Sequence, residues 1–353
     1  MLTQYRLPLG IVIAMAPLAI GSTRADVQFV LTLLISTVAV MAAFSPDLKD
    51  ARTPWVKWLF FVAAAWALFQ LIPLPISVVQ QLSPNAAALY LAADPGLEWA
   101  QLSVDFSRTA TSTLHLLGFG LVFIIVSVSG RTSAPAFRWA VVIGSTACVL
   151  VATLHWAFAL DQIYGLYDAL HRTKLHGFFG PFVNENTFAG LLVLGALLAS
   201  GKLGASDDTV KQKAAAICAL LCTLGVIATG SRGALVALSL GWVVFVALVL
   251  ATARESGSKL QPRLSRLLIG GSTLLILGAL SSVMLFDSWL GMLGDAILKD
   301  PKVRIWSDVT PLIDTYPWVG SGRGTFGLVF NHVQSQPIQG TVSHAENFLV
   351  QSV

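Results

Sequence analysis

Long runs of apolar residues dominate the chain from near its start to about residue 286. A bilayer core about 30 Å thick needs roughly 20 apolar residues in helical conformation, and only helices or closed barrels satisfy their backbone in lipid. The runs show no period-two alternation, which disfavours a barrel. They predict membrane spans at 7–22, 27–44, 57–73, 112–129, 139–160, 187–201, 213–230, 233–251 and 267–286.

This pattern predicts an all-α fold, a polytopic transmembrane helical bundle with about nine spans and a long extracytoplasmic loop near the C-terminus. We divide the chain into N-terminal transmembrane helices over 1–160 and a second region over 161–353, which holds two long outer loops and the remaining helices. The first run could instead be a cleaved signal peptide, because Arg6 precedes it and Thr23-Arg24-Ala25 is a possible cleavage site.

Composition agrees with a membrane environment. Hydrophobic residues make up 55% of the chain and charged residues only 11%, with a mean hydropathy of +0.74. Soluble proteins usually have about 25% charged residues. The three cysteines, Cys148, Cys218 and Cys222, all fall in predicted spans, so the sequence offers no disulfide framework.

The net charge of +4 could suggest a nucleic-acid partner, but the charge distribution indicates membrane orientation instead. If the N-terminus is inside, thirteen of the 22 Lys and Arg residues and only five of the 18 acidic residues lie in inner segments. Basic residues concentrate on the cytoplasmic side of membrane proteins. No charged residue lies in the middle of a span, which weakens a channel or transporter interpretation.

Polar residues that could bind a ligand gather in the outer segments. The segment before the sixth span contains Arg172, Lys174, His176, Asn184 and Asn186. Cations and amides suit a sugar or a phosphate group at the membrane surface. The alternative is an ordinary loop in which Asn184 or Thr187 caps the next helix.

A second polar segment, residues 228–234, separates two apolar runs and contains Arg232. The N-terminus of a helix favours anions, and an arginine there adds a bidentate phosphate binder. The alternative is a membrane-boundary anchor whose side chain reaches the headgroups.

The last outer segment contains Arg304, a glycine-rich run over 316–326, and the sequence Ser343–Asn347. Gly322, Gly324 and Gly327 form G-x-G-x-x-G, but no βαβ context surrounds them, so a dinucleotide site is not expected. The glycines could allow close approach of a ligand or form a plain structural turn. His344, with Glu346 and Asn347 beside it, could supply a general base.

Taken in order, these segments resemble the bacterial O-antigen ligase / O-antigen polymerase family of membrane glycosyltransferases. The resemblance covers about 170–353. It rests on a Gly-Phe-x-x-Pro-x-x-Asn-x-Asn-x-Phe-Ala segment that ends at Ala189, Ser231-Arg232-Gly233, Arg304-x-Trp306, the run from Pro317 to Phe326, and His344-Ala-Glu-Asn347.

The resemblance implies a role for each matching position. Arg232 and Arg304 would bind the donor diphosphate. His344 would be catalytic, and Glu346, which stands where many ligases have a second histidine, could share or replace its role as base. Residues with a possible substrate-binding role are Arg172, Lys174, His176, Asn184, Asn186 and Asn347.

The implied reaction transfers or polymerises a glycan from undecaprenyl diphosphate onto a sugar hydroxyl, without metal or other cofactor. It would take place at the periplasmic face of the bacterial inner membrane. The implied partners are the lipid-linked donor, a glycan or lipid A–core acceptor and membrane lipids, with no nucleic acid. Two alternatives stay open: a transporter or flippase of a lipid-linked sugar, or an inactive truncated family member, because the chain stops at Val353 where a new apolar stretch begins.

Overall fold

The computed structural model describes residues 5–44, 55–168, 177–203, 208–255, 271 and 301–335. These parts of the chain contain twelve α-helices. In chain order they are α1 (Arg6–Met15), α2 (Ala25–Ala43), α3 (Lys57–Phe69), α4 (Ile76–Leu82), α5 (Pro84–Ala93), α6 (Phe106–Val128), α7 (Gly130–Ala157), α8 (Glu185–Leu203), α9 (Thr209–Thr229), α10 (Arg232–Glu255), α11 (Pro301–Thr315) and α12 (Phe326–Val333).

The remaining regular structure is short. Two 3-10 turns, Ala16–Leu18 and Ile20–Ser22, follow α1. The strands β1 (Leu74–Pro75) and β2 (Trp99–Ala100) pair antiparallel, with Leu74 opposite Ala100 and Pro75 opposite Trp99.

Among the described residues, six helices are long and apolar enough to cross a membrane: α2, α6, α7 from Ser133, α8, α9 and α10 through Thr252. Two shorter apolar helical segments, Arg6–Leu18 and Lys57–Phe69, coincide with the first and third predicted spans. The predicted all-α polytopic fold is therefore confirmed. The ninth predicted span, 267–286, lies outside the described residues except for Gly271.

Helix boundaries differ from the predicted spans in two informative places. The third predicted span reaches residue 73, but α3 ends at Phe69, ahead of Pro73 and Pro75. A residue that precedes proline is pushed out of the helical region. The helix α6 begins at Phe106 rather than at 112, because its first turns are polar and hydropathy alone does not detect them.

The chain divides into two compact units. The first contains residues 1–50 and 129–288, and the second contains residues 51–128 and 289–353. The predicted division at residue 160 rests on family resemblance rather than on contacts, and it stays a prediction.

In the first unit, α8 packs against α7, α9 and α10, and α7 also packs against α1. Small residues allow these helices to approach closely. A Cβ at Gly144 would lie 2.7 Å from the carbonyl oxygen of Ala14, and one at Gly195 would lie 2.6 Å from Cβ of Ser145. The helices of this unit are therefore fixed by contacts that a larger side chain would disrupt.

In the second unit, α3 packs along α6, α4 packs against α5, and α11 packs against α12. The α11–α12 pair closes over a core of buried side chains that includes Ile305, Val309, Leu312 and Phe330. The described part of the predicted C-terminal loop, residues 301–335, therefore forms helices, which share this core with Ala86 of α5.

Candidate functional site

The first turn of α8 begins with a capping asparagine. The side-chain oxygen of Asn184 accepts hydrogen bonds from the backbone N–H groups of Asn186 at 2.8 Å and Thr187 at 3.3 Å. Such a cap satisfies N–H groups that have no partner inside the helix. Asn184 thus has the capping role that the sequence offered as one alternative, and it fixes the turn from which the exposed Asn186 projects.

The break between α9 and α10 is a two-residue turn. Gly230 ends α9 with a left-handed φ of 68°, a conformation that glycine adopts without strain. Ser231 then precedes α10, and its backbone N–H donates to the hydroxyl of Thr229 at 3.2 Å. The Ser231 hydroxyl accepts from the N–H of Ala234 at 3.5 Å. This local sequence ends one helix and starts the next, so Arg232 becomes the first residue of α10.

A side-chain hydrogen bond joins this turn to α8. The hydroxyl of Ser231 donates to the side-chain oxygen of Asn186 at 2.7 Å. Ser231 is buried, whereas Asn186 and Arg232 are exposed. Two polar segments that are 45 residues apart in sequence are therefore in contact at one end of the first unit.

The connection after α7 packs onto the turn between α1 and α2. The hydroxyl of Tyr164 donates to the carbonyl oxygen of Leu18 at 2.5 Å, and its backbone N–H donates to Nε2 of His155 at 3.2 Å. The guanidinium of Arg24 lies 5.2 Å from the ring centroid of Tyr167, a cation–π contact. Burial raises the pKa of Tyr164 to about 12, so its hydroxyl remains a donor at neutral pH.

Aromatic packing places this turn at the same end of the unit as α8's first turn. The ring of Phe182 stacks on Phe188 of α8, with centroids 5.3 Å apart. A Cβ at Gly21 would lie 2.7 Å from the Phe182 ring. The α1–α2 turn, the segment before α8 and the α9–α10 turn thus gather at one end of the first unit.

Two arginines are described at this end of the first unit, Arg24 and Arg232. Arg24 donates two hydrogen bonds of 2.9 and 2.8 Å to the carboxylate of Asp26, and this bonding raises the Arg24 pKa. Arg232 is exposed at the start of α10, where the partial positive charge of the helix N-terminus also attracts anions. Beside the neutral amide of Asn186, this arrangement suits a phosphate group attached to a sugar.

The glycine-rich segment between α11 and α12 is a packed turn in the second unit. Gly320, Gly322 and Gly324 have φ values of 68°, 106° and 84°. A Cβ at Gly322 would lie 2.3 Å from Oγ of Ser103, and one at Gly324 would lie 2.3 Å from Oγ of Ser112. Of the two alternatives for this run, a structural turn accounts for Gly322 and Gly324.

Comparison with known proteins finds a match for the segment that begins in α9. Residues 217–352 match a family model described as O-Antigen ligase. This part of the chain is therefore similar to the O-antigen ligase family. The matched residues include the positions of Arg232, Arg304 and His344.

The chain is also similar to a curated relative, a general O-oligosaccharyltransferase of Acinetobacter baylyi (strain ATCC 33305 / BD413 / ADP1). The two are 28% identical over 193 residues, which is 50% of this chain and 31% of the relative. The matched part thus spans about a third of the length of that relative. No solved structure matches the chain.

For the other predicted site residues, in residues 217–352 and in the loop before α8, no side chain is described. Arg304 lies in α11, where only its backbone is described. The residues Arg172, Lys174, His176, His344, Glu346 and Asn347 lie outside the described residues. Within the described parts of the chain, no group of three or more His, Cys, Asp or Glu could hold a metal ion.

Sequence reasoning did not assign a site role to Ser231 or to Arg323. The hydroxyl of Ser231 bonds the turn before Arg232 to Asn186 of α8. In the sequence, the indication of a role for Ser231 was its position directly before the first residue of a helix. Arg323 is held between two glycines that have positive φ values, and the signal for it was the flanking pattern Gly-Arg-Gly.

Proposed function

We propose that this chain is a membrane glycosyltransferase of the O-antigen ligase type, which transfers or polymerises a glycan from an undecaprenyl-diphosphate-linked donor onto a sugar hydroxyl. The observation that carries the proposal is the 2.7 Å hydrogen bond between Ser231 and Asn186. It brings the turn that contains the exposed Arg232 to the polar first turn of α8, so a cation and amides lie at the same end of the helices. The family match and the oligosaccharyltransferase relative support the same chemistry.

The proposed reaction assigns each step to a chemical group. The bond between the anomeric carbon and the donor diphosphate breaks, and the acceptor hydroxyl oxygen forms the new bond to that carbon. His344 accepts the hydroxyl proton, with Glu346 sharing or orienting that base. Arg232 and Arg304 stabilise the charge that develops on the departing undecaprenyl diphosphate.

The proposed location is the inner membrane, with the Arg232 end at the periplasmic face. The opposite end of the first unit supports this orientation because it is basic. Lys202 donates to the carbonyl oxygen of Pro135 at 3.2 Å, which joins the end of α8 to the start of α7. Lys211 follows at the start of α9. Cytoplasmic ends of membrane helices are enriched in Lys and Arg.

The acceptor that we propose is a glycan hydroxyl or the sugar of lipid A–core. A host that makes an undecaprenyl-diphosphate-linked glycan but lacks its own O-antigen ligase provides the test. We expect the chain to restore glycan-capped lipopolysaccharide, or to lengthen the glycan if it is a polymerase, on a gel of the extracted material.

The same host tests the arginine. We expect Arg232→Ala to reduce the product by about 10²-fold or more, because a donor that stabilises developing charge contributes on that scale. The matched control is Arg138→Ala in α7, an exposed arginine whose Nε donates to the Ala134 carbonyl oxygen; it should leave the product unchanged. Wild-type levels of product from a membrane-inserted Arg232→Ala variant would contradict the proposed diphosphate contact.

A further inference from the structure

The glycine-rich turn of the second unit is fixed at both of its ends by one buried side chain. Nε2 of Gln70 donates to the carbonyl oxygen of Val319 at 2.6 Å, and Oε1 of Gln70 accepts from the backbone N–H of Arg323 at 3.3 Å. Gln70 is only 3% exposed. Its amide therefore holds residues 319–323 as a closed turn.

The first turn of α6 fixes the same segment from the other side. The hydroxyl of Thr109 donates to the carbonyl oxygen of Arg323 at 2.9 Å. The N–H of Val104 donates to the carbonyl oxygen of Ser321 at 2.9 Å. Because both backbone groups of Arg323 are bonded to side chains of neighbouring elements, its Cα position is set by the fold.

A second polar layer supports these contacts. The Tyr90 hydroxyl donates to the carbonyl oxygen of Ser103 at 2.6 Å, and Oγ of Ser103 lies 2.7 Å from Oγ1 of Thr109. Ser103 and Thr109 are fully buried. Burial raises the pKa of the Tyr90 hydroxyl. A buried network whose hydrogen bonds are all made favours a single arrangement of its side chains.

The turn lies at the end of a candidate membrane span. The helix α6 has 23 residues, and 1.5 Å per residue makes it just long enough for a hydrocarbon core about 30 Å thick. Its first turn, which contains Arg108 and Thr109, therefore sits at the membrane boundary. The contact between Thr109 and Arg323 brings the glycine-rich turn to that boundary.

Two exposed side chains belong to this segment, one directly before the fixed turn and one within it. Trp318 is 80% exposed, and Arg323 is also exposed. Within the described parts of the chain, the Arg323 guanidinium forms no hydrogen bond, ion pair or ring contact. Tryptophan is enriched at the membrane interface, and a guanidinium binds phosphate through two parallel hydrogen bonds.

A second cation lies next to this turn. The backbone carbonyl oxygen of Arg108 lies 3.2 Å from the position that a Cβ at Gly324 would occupy. The Arg108 guanidinium is 3.5 Å from the carboxylate of Asp105, so that pair is locally balanced. Arg323 has no acidic partner among the described residues. The group formed by Asp105, Arg108 and Arg323 therefore carries a net positive charge.

We propose that Arg323, displayed on this fixed turn and assisted by Arg108, binds the phosphate group of a lipid at the membrane surface. The lipid is either an isoprenoid diphosphate, such as the donor proposed above, or an anionic phospholipid. Both sources present a phosphate at the depth of the first turn of α6, and Trp318 rests among the headgroups beside it. This binding does not require glycan transfer.

Lipid titration of the detergent-solubilised full chain, followed by native mass spectrometry, tests the proposal. The probes are undecaprenyl diphosphate and phosphatidylglycerol. We expect Arg323→Ala and Arg323→Gln to weaken binding of at least one probe about tenfold, the scale of one lost charge-assisted contact. Arg323→Lys should retain part of the binding. The variants should melt like the wild type, because the replaced side chain is exposed.

The two probes separate the two sources of phosphate. A loss for undecaprenyl diphosphate alone assigns the site to the isoprenoid donor, and a loss for phosphatidylglycerol as well assigns it to phosphate-bearing lipids in general. Arg138→Ala is the matched control and should bind both probes normally. Unchanged binding of both probes by Arg323→Ala, or an equal loss in Arg138→Ala, would overturn the proposal.

The outcome is separable from that of the proposed function. A chain that transfers no glycan but loses lipid binding in Arg323→Ala keeps this site and rejects the transferase. A chain that transfers glycan while Arg323→Ala binds both probes normally keeps the transferase and rejects this site.

Discussion

At the scale of single residues, the glycines of the chain serve different purposes that sequence alone does not separate. Gly322 has a positive φ and a buried neighbour, Gly320 has a positive φ in open space, and Gly233 lies in a helix with no heavy atom within 4 Å of an added Cβ. All three occur in short motifs next to an arginine or a serine. Only the packing around each glycine distinguishes a required turn from a tolerated one.

These three glycines allow a graded test of the turn. Gly322→Ala should cost about 2–4 kcal/mol, because it combines backbone strain with a Cβ placed against Ser103. Gly320→Ala should cost about 1–2 kcal/mol from strain alone. The control, Gly233→Ala, should be neutral or slightly stabilising. Thermal unfolding of the purified protein measures the order, and equal midpoints for Gly322→Ala and Gly233→Ala would contradict the packed turn.

Part of the candidate site was predictable at this scale and part was not. Asn184 precedes an apolar run, so a capping role could be stated from sequence, and Arg232 stood out because it interrupts two such runs. The hydrogen bond between Ser231 and Asn186 could not be predicted, because it depends on the register in which α8 packs beside α9 and α10. Hydropathy specifies that helices pack but not which residues face each other.

At the scale of elements, apolar runs predicted the helices well and their ends less well. The start of α6 was placed six residues too late because Ser107, Arg108 and Thr109 are polar and still helical. The small helices α4, α5, α11 and α12 lie in segments that hydropathy assigned to loops. Their packing against neighbours, such as Ile305 and Phe330 in one core, comes from tertiary contacts that a local pattern does not contain.

The start of α9 offers a test of helix capping by pH. The carboxylate of Asp208 accepts hydrogen bonds from the N–H groups of Val210 and Lys211, and these bonds lower the Asp208 pKa. A lowered pKa in the folded state means that the carboxylate stabilises the fold above the ordinary aspartate pKa of about 3.9 and loses this effect as the pH falls through the lower folded value.

Asp208→Asn is the matched variant, because asparagine also caps a helix but does not titrate there. We expect the wild type to be slightly more stable than Asp208→Asn at pH 6, the difference to shrink as the pH falls below about 4, and the difference to vanish once the pH is below the lowered pKa of the folded state. Thermal midpoints of both proteins across this range provide the measurement. A difference that grows as the pH falls would show that the charged cap does not stabilise α9.

At the scale of the whole molecule, the sequence specified a membrane protein through composition and charge distribution, and the six long apolar helices found in the described parts of the chain agree with it. It did not specify two compact units that each combine two separate stretches of the chain. Such a division depends on contacts between residues far apart in sequence, for example between Gln70 and Val319. One-dimensional patterns carry no information on these pairings.

The proposed orientation can be tested with single cysteines in a variant that lacks Cys148, Cys218 and Cys222. We expect Asp161→Cys, placed after α7, to react with a membrane-impermeant maleimide added to the periplasmic side. Asp208→Cys, placed before α9, should react only after the membrane is opened. The two positions lie at opposite ends of α8, one in the loop before it and one in the loop after it. Labelling of Asp208→Cys before the membrane is opened would reverse the proposed orientation.

The most direct test of the account asks whether the chain makes a covalent product. The purified full chain, reconstituted in lipid vesicles, is given a radiolabelled glycan on undecaprenyl diphosphate together with lipid A–core or free glycan as acceptor. We predict that label moves to the acceptor, that an equal amount of undecaprenyl diphosphate is released, and that Arg232→Ala reduces both by about 10²-fold or more. Label that stays on the lipid, or that crosses the bilayer still attached to it, would contradict a transferase and indicate a transporter instead.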